Sequence, residues 1–207
     1  MPPSARDRST SATAWRSSAP RCAWDSDRGA TGARTDHASL PSAFERGNAV
    51  IDTAERLQRV ESIEQIRRLK ALYCDYCDEG YDADGLCSLF TEDGVWDGGR
   101  LGRFEGRARL HRFFENMPNV LSFAIHHVTN SSIVLDDDGQ AAEGRWYLLQ
   151  MATTKRENRA VWLTGRYVDR IVLDEGSWKF RHVSLTARFF SPYDEGWAET
   201  PFLDVTA

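Results

Sequence analysis

The chain has 207 residues, 41% hydrophobic and 28% charged, with 26 Lys and Arg against 31 Asp and Glu for a formal charge of −5. That length suits one domain with a tail, and the acidic balance argues against a nucleic-acid surface. No apolar run approaches the roughly 18 residues that a membrane span needs.

Residues 1–48 are rich in Ser, Ala and Arg, hold four of the seven prolines, and contain Leu40 as their only Leu, Ile or Val. Such a segment buries too little apolar surface to offset its ordering entropy, so it is expected to be a disordered tail. It lacks the apolar stretch of a secretory signal, and Asp7, Asp25, Asp27 and Asp36 argue against a transit peptide. The folded domain is expected over residues 49–197, with a second tail over 198–207.

From Asp52 to about Glu79, Ala54, Leu57, Val60, Ile63, Ile66, Leu69, Tyr73 and Cys77 recur at intervals of three and four. This spacing predicts an amphipathic helix, stopped by Gly80. A second helix is predicted from Asp82 to Phe90, capped by Asp82 or Asp84. A third runs from Gly106 to Asn116 and is ended by Pro118. Short strands are expected around Gly94–Trp96 and Gly102–Phe104. Beyond Pro118, runs rich in Val, Ile, Thr and aromatics are divided by DDDGQ (136–140), KREN (155–158) and DEGS (174–177). They predict four long strands near 121–135, 140–154, 159–173 and 177–190. Helices followed by a meander define an α+β fold, with helices packed on one bent antiparallel sheet.

Four cysteines, Cys22, Cys74, Cys77 and Cys87, are too few and irregular for a disulfide framework, so a reducing cytoplasm is the default expectation. Cys74 and Cys77 fall inside the helical pattern and read as buried apolar residues rather than a redox pair or zinc site. No glycine-rich phosphate motif is present, and neither a cofactor nor a metal is expected.

Residues suited to acid–base chemistry are the Tyr73 phenol, the Asp78 carboxylate and the histidine pair His126–His127 in FAIHHVTNSSIVL (123–135). An imidazole accepts protons near neutral pH, a carboxylate orients it, and a phenol donates to a developing oxyanion. Tyr73 and Asp78 lie about 140° apart on a straight helix, so they flank one pocket only if the helix ends near Asp78. On a strand the two histidines point to opposite faces. Alternation groups His127 with Leu121, Phe123, Ile125 and Ile133, the more apolar set, and His126 with Ala124, Val128 and Asn130. His182 and Arg188 share parity with Trp178 and Phe180. Trp96, Trp146, Trp162 and Trp178 are candidates for core or pocket wall.

The order and spacing of IEQIRRLKALYCDYCD (63–78), FTEDGVW (90–96), GRARLHRFF (106–114), HHVTNSSI (126–133), EGRWYLL (143–149) and GSWKFRHVSL (176–185) resemble one family. It is the SnoaL-like branch of the NTF2-like superfamily, which includes scytalone dehydratase and bile acid 7α-dehydratase, and the resemblance runs from about Asp52 to Trp197. It implies a cone with an apolar pocket at its open end and three helices against the sheet. In the dehydratases of that superfamily a tyrosine and an aspartate come from the first helix and a histidine from a strand. The resemblance places those roles on Tyr73, Asp78 and His126, thereby favouring His126 over His127. It also places ligand contacts on Arg188 and on Gln150, where the dehydratase has an aspartate. Trp96, His127 and Asn130 complete the candidate substrate-binding set.

The function expected is a cofactor-independent dehydratase-like lyase or isomerase acting on a small apolar, polycyclic or aromatic ketone. The alternatives are a noncatalytic small subunit of an aromatic-ring dioxygenase, which shares the fold, and a small-molecule-binding module. A homodimer or homotrimer is also expected by resemblance.

Overall fold

The computed structural model describes residues 52–203, so the expected tail over residues 1–48 lies outside the described residues. Helix α1 spans Thr53–Asp78, and Ile66, Leu69, Lys70, Tyr73, Cys74 and Cys77 are its buried stripe. Only the later turns of the amphipathic pattern are used in packing. Leu57 and Val60 are 57% and 62% exposed, while Arg59 on the same turns donates to the Asp136 carbonyl at 3.4 Å. Gly80 (φ 92) and Tyr81 (φ 60) both turn left-handed to end α1. The N–H groups of Tyr81 and Asp82 return to the Cys77 and Tyr76 carbonyls at 3.3 and 3.1 Å. Helix α2 (Ala83–Ser88) follows, its N-terminus capped by the Asp82 carboxylate accepting from the Gly85 N–H at 3.0 Å.

Helix α3 spans Arg107–Val120 and passes through Pro118, which the sequence reading made its terminator. A proline deprives one carbonyl of its hydrogen bond, here that of Phe114. The loss is tolerated because less than a turn remains, and the Leu121 N–H still bonds to the Met117 carbonyl.

The six strands are β1 (Phe90–Asp97), β2 (Arg103–Glu105), β3 (Leu121–Leu135), β4 (Ala141–Thr154), β5 (Ala160–Asp174) and β6 (Ser177–Pro192), in the order β2-β1-β6-β5-β4-β3. The meander β3 to β6 is antiparallel, as alternation and turn signals predict. The sheet as a whole is mixed, which corrects the expectation of a purely antiparallel one: β1 lies parallel to β6. A parallel neighbour needs no hairpin, so no turn signal announces it. Irregularities at Thr129/Ser132 in β3 and at Thr164/Gly165 and Arg170/Ile171 between β5 and β6 add local bending.

The inner face carries Trp146, Leu148, Leu163, Tyr167, Ile171 and Phe180 against Ile66, Tyr73, Leu110 and Phe114 of the helices. Gly144 is required for close packing, since a Cβ there would sit 2.1 Å from the Trp146 ring. Trp146 and Trp178 are core residues, whereas Trp162 lies in partial exposure near Tyr193, ring centroids 6.2 Å apart.

Lys70 is also in this core, 1% exposed, with its ammonium 2.9 Å from Asp169 and 3.3 Å from the Tyr167 ring centroid. Asp169 additionally accepts from the Ser184 N–H at 3.2 Å. Burial holds the Asp169 carboxyl above the ordinary carboxylate range despite Lys70. The sequence reading passed over this pair, because a lysine within a helical stripe reads as solvated.

Residues 198–203, the described part of the expected tail over 198–207, fold back against β6. Helix α4 spans Gly196–Glu199, and Phe202 then pairs with Phe190. The Phe190 N–H bonds to the Pro201 carbonyl at 2.9 Å, and the Leu203 N–H to the Phe190 carbonyl at 2.6 Å.

Candidate active site

A cavity of about 320 Å³ opens among α1, α3, the inner face of the sheet and the β1–β2 loop. Its walls are mostly aromatic and aliphatic, with Trp96, Phe104, Phe113, Leu163 and Phe190 prominent among them. Phe104 and Phe113 stack with centroids 4.1 Å apart. Tyr73, Tyr81, His126 and Gln150 bring polar atoms to this apolar space.

Asp78 is the last residue of α1, which lets its carboxylate turn toward β3. Its two oxygens lie 3.1 and 3.0 Å from the His126 backbone nitrogen, and Oδ1 lies 2.5 Å from His126 Nδ1. A carboxylate only accepts, so Nδ1 carries the hydrogen, and in the neutral ring the lone pair falls on Nε2. The His126 side chain is 6% exposed and that of Asp78 24%. The backbone contact fixes the strand against the helix end while the ring contact fixes the imidazole, so one carboxylate sets both position and tautomer.

Tyr73, 3% exposed, accepts from Trp96 Nε1–H at 3.0 Å. Burial, reinforced by Cys77 and Tyr167, pushes its phenol well above the ordinary tyrosine range, so it stays an O–H donor. Gln150 is 4% exposed, stands opposite His126 in the β3–β4 register, and lines the same cavity as Tyr81.

Tyr81 was missed by the sequence reading. It lines the cavity, its ring meets the His126 ring edge-on at 6.5 Å, and burial, followed by the neighbouring Cys77 and the Asp78 carboxylate, raises its phenol far above the ordinary range. A bulky residue at φ 60 is strained, at a cost of about 1–3 kcal/mol. The signal for it was a tyrosine directly after a helix-stopping glycine. Arg100 was missed as well and lies at the cavity edge.

Three expected ligand contacts are corrected. His127 is exposed on the outer face opposite Leu149, because Asp78 and the inward set Ala124, His126 and Val128 fix the strand the other way round. Asn130 is exposed at the β3 irregularity with φ 53. That irregularity shifts parity and brings Ile133 back to the core side, which is why simple alternation grouped Ile133 with His127. Arg188 is exposed, the extra residue where β6 bulges between Ala187 and Phe189 against Gly165 and Thr164. His182 falls beside a second bulge and is not a cavity residue either.

Among the described residues, no three His, Cys, Asp or Glu side chains converge to hold a metal ion. No helix among them is long and apolar enough to cross a membrane. Cys74, Cys77 and Cys87 are free and buried.

Residues 58–184 match the model of the SnoaL-like domain, and the chain belongs to that family. No curated protein matches it. Of the solved structures, a provisionally named aromatic ring hydroxylase from Novosphingobium aromaticivorans is 28% identical with a TM-score of 0.59, covering 64% of this chain and 94% of its own. A provisionally named scytalone dehydratase from the same organism is 22% identical at a TM-score of 0.62, covering 67% and 91%. Hexachlorocyclohexane dehydrochlorinase (LinA type 3) from Novosphingobium barchaimii is 20% identical at 0.60, covering 66% and 93%. These last two likenesses establish the NTF2-like fold.

Proposed function

We propose that the protein is a cofactor-independent lyase or isomerase that moves a proton next to the carbonyl of a small aromatic or polycyclic ketone. The observation that carries this reading is the Asp78–His126 pair set at the wall of an aromatic cavity. In a dehydration, His126 Nε2 takes the proton from the carbon α to the carbonyl, and the C–H electrons move onto the carbonyl oxygen. Tyr73 and Tyr81, both held as O–H groups, donate toward that oxygen when its charge is greatest. The enolate then collapses and expels the β-hydroxyl, which leaves as water with the proton returned by His126. In an isomerisation the same proton goes to another carbon. Asp78 keeps the imidazole in the required tautomer throughout.

α-Proton exchange in D2O, followed by NMR on the bicyclic ketones α-tetralone and β-tetralone, tests the first step without knowledge of the native substrate. Wild type should accelerate exchange, and His126→Gln should lose on the order of a hundredfold. A ketone that binds beside His126 yet exchanges no faster with wild type than with His126→Gln refutes the reading and favours a simple binding module.

A second reading is a noncatalytic small subunit of an aromatic-ring dioxygenase, and the 28% identity to a provisionally named aromatic ring hydroxylase supports only its link to aromatic compounds. Stable copurification with a large iron–sulfur subunit, together with absence of exchange, would establish it. Exposed Phe123, Tyr147, Leu149 and Val168 on the outer sheet face support self-association as a homodimer or homotrimer, which sedimentation at micromolar concentration checks.

A further inference from the structure

We infer that the ligand of this cavity carries an oxyanion, and that Arg100 receives it at the mouth while the aromatic body fills the interior. The inference rests on the cavity being the substrate site and names the substrate class more narrowly: an aromatic or polycyclic compound bearing a carboxylate, sulfonate or phosphate.

Among the described residues, the ionisable groups on the cavity wall are His126, Arg100 and two raised tyrosines. It sits in the GGRLG segment between β1 and β2, on a short 3-10 helix over Gly99–Leu101. The carboxylates nearby are engaged by other cations. Arg103 takes both Asp97 and Glu105, Arg107 takes Glu92, and His111 faces Asp84 and Glu115. Among the described residues no carboxylate pairs with Arg100, whose guanidinium carbon instead lies 4.9 Å from the Phe202 ring centroid. A phenyl ring offers a guanidinium no oxygen acceptor, so this contact leaves the N–H fork able to receive an oxyanion with two parallel hydrogen bonds.

The surroundings extend this pattern outward. Phe104, Phe113 and Asn116 form the wall shared with a shallower groove lined by Arg109 and Arg112. Neither of these arginines has a carboxylate partner among the described residues. Arg100 on the cavity and Arg109 and Arg112 in the adjoining groove, none with a carboxylate partner among the described residues, set cations beside the site on a chain whose net charge of −5 would otherwise repel anions.

Two fluorescent probes of nearly the same shape test the inference on the full chain: anilinonaphthalene sulfonate, and phenylnaphthylamine, which lacks the sulfonate. The sulfonate should bind wild type about fivefold more tightly at low ionic strength, with an advantage that shrinks as salt is added. Both probes should shift the His126 ring signals, locating them in the cavity. Arg100→Gln should remove most of the advantage while the affinity for phenylnaphthylamine stays the same, which shows the cavity intact. Equal binding of the two probes to wild type, or an advantage that survives Arg100→Gln, overturns the role of Arg100. Binding of neither probe, or binding that leaves His126 unmoved, overturns the cavity as ligand site and the inference with it. Because His126→Gln should leave the probe preference intact, failure of the proposed proton transfer is distinguished from failure of anion recognition.

Discussion

Replacing Asp78 with Asn keeps the side-chain shape and exchanges one acceptor for a donor. In the native site the carboxylate accepts both from the His126 backbone N–H, at 3.0 Å, and from Nδ1, at 2.5 Å. A carboxamide has one oxygen and one NH2, and its two orientations suit different ring tautomers. With the oxygen in the place of Oδ1 it reaches both the backbone N–H and Nδ1–H, as Oδ1 does at 3.1 and 2.5 Å, and the basic Nε2 is kept. With the oxygen in the place of Oδ2 it keeps the backbone N–H alone, while the NH2 faces Nδ1 and drives the ring proton to Nε2. The carboxylate enforces one tautomer and the carboxamide does not. Loss of the charge that stabilises the imidazolium adds to this, and activity should fall by on the order of 10² to 10⁴ in all. Nitrogen-15 NMR of the histidine ring reads the tautomer without any substrate, at a pH where the ring is neutral, and α-proton exchange reads the consequence. An Asp78→Asn protein that keeps both the Nδ1–H tautomer and the wild-type exchange rate would refute the argument.

Three further outcomes are expected. His127→Ala should leave α-proton exchange unchanged, in contrast to His126→Gln, because His127 lies on the outer face; both are measured in the same NMR assay. Lys70→Met should destabilise the protein by about 3–5 kcal/mol in urea denaturation, and Lys70→Met with Asp169→Leu by much less, since the single change leaves a buried carboxylate unpaired. In the Lys70→Met variant the folded state holds the Asp169 proton more tightly than the unfolded chain, so the loss should grow as pH rises above about 4 and shrink in acid. Lys70, Ser184 and His182 are the groups that bear on Asp169, and a cost independent of pH would refute this. Gly144→Ala should cost about 1–3 kcal/mol, read from the urea midpoint, because the added methyl overlaps the ring of Trp146, which is buried in the core.

Local chemistry determined much of this molecule from its sequence. The long strands β3 to β6 were legible because side-chain alternation and the turn segments at 136–140, 155–158 and 174–177 are properties of neighbouring residues. The end of α1 was legible in Gly80, which takes the left-handed conformation that stops a helix. The expectation that His126 rather than His127 faces inward came from resemblance, whereas periodicity favoured His127, which lies on the outer face. Only the tertiary structure decided the rest. Which face of β3 is inside depends on where the strand bulges, and a bulge is set by pairing with β4 rather than by the strand's own residues. The same reason removes Asn130 and Arg188 from the cavity, since each sits where an extra residue breaks the alternation. The parallel seat of β1 beside β6, the burial of Lys70 against Asp169, and the arrival of Tyr81 and Arg100 at the cavity all join residues distant in the chain. Their energies come from desolvation and packing among elements, which no local pattern encodes.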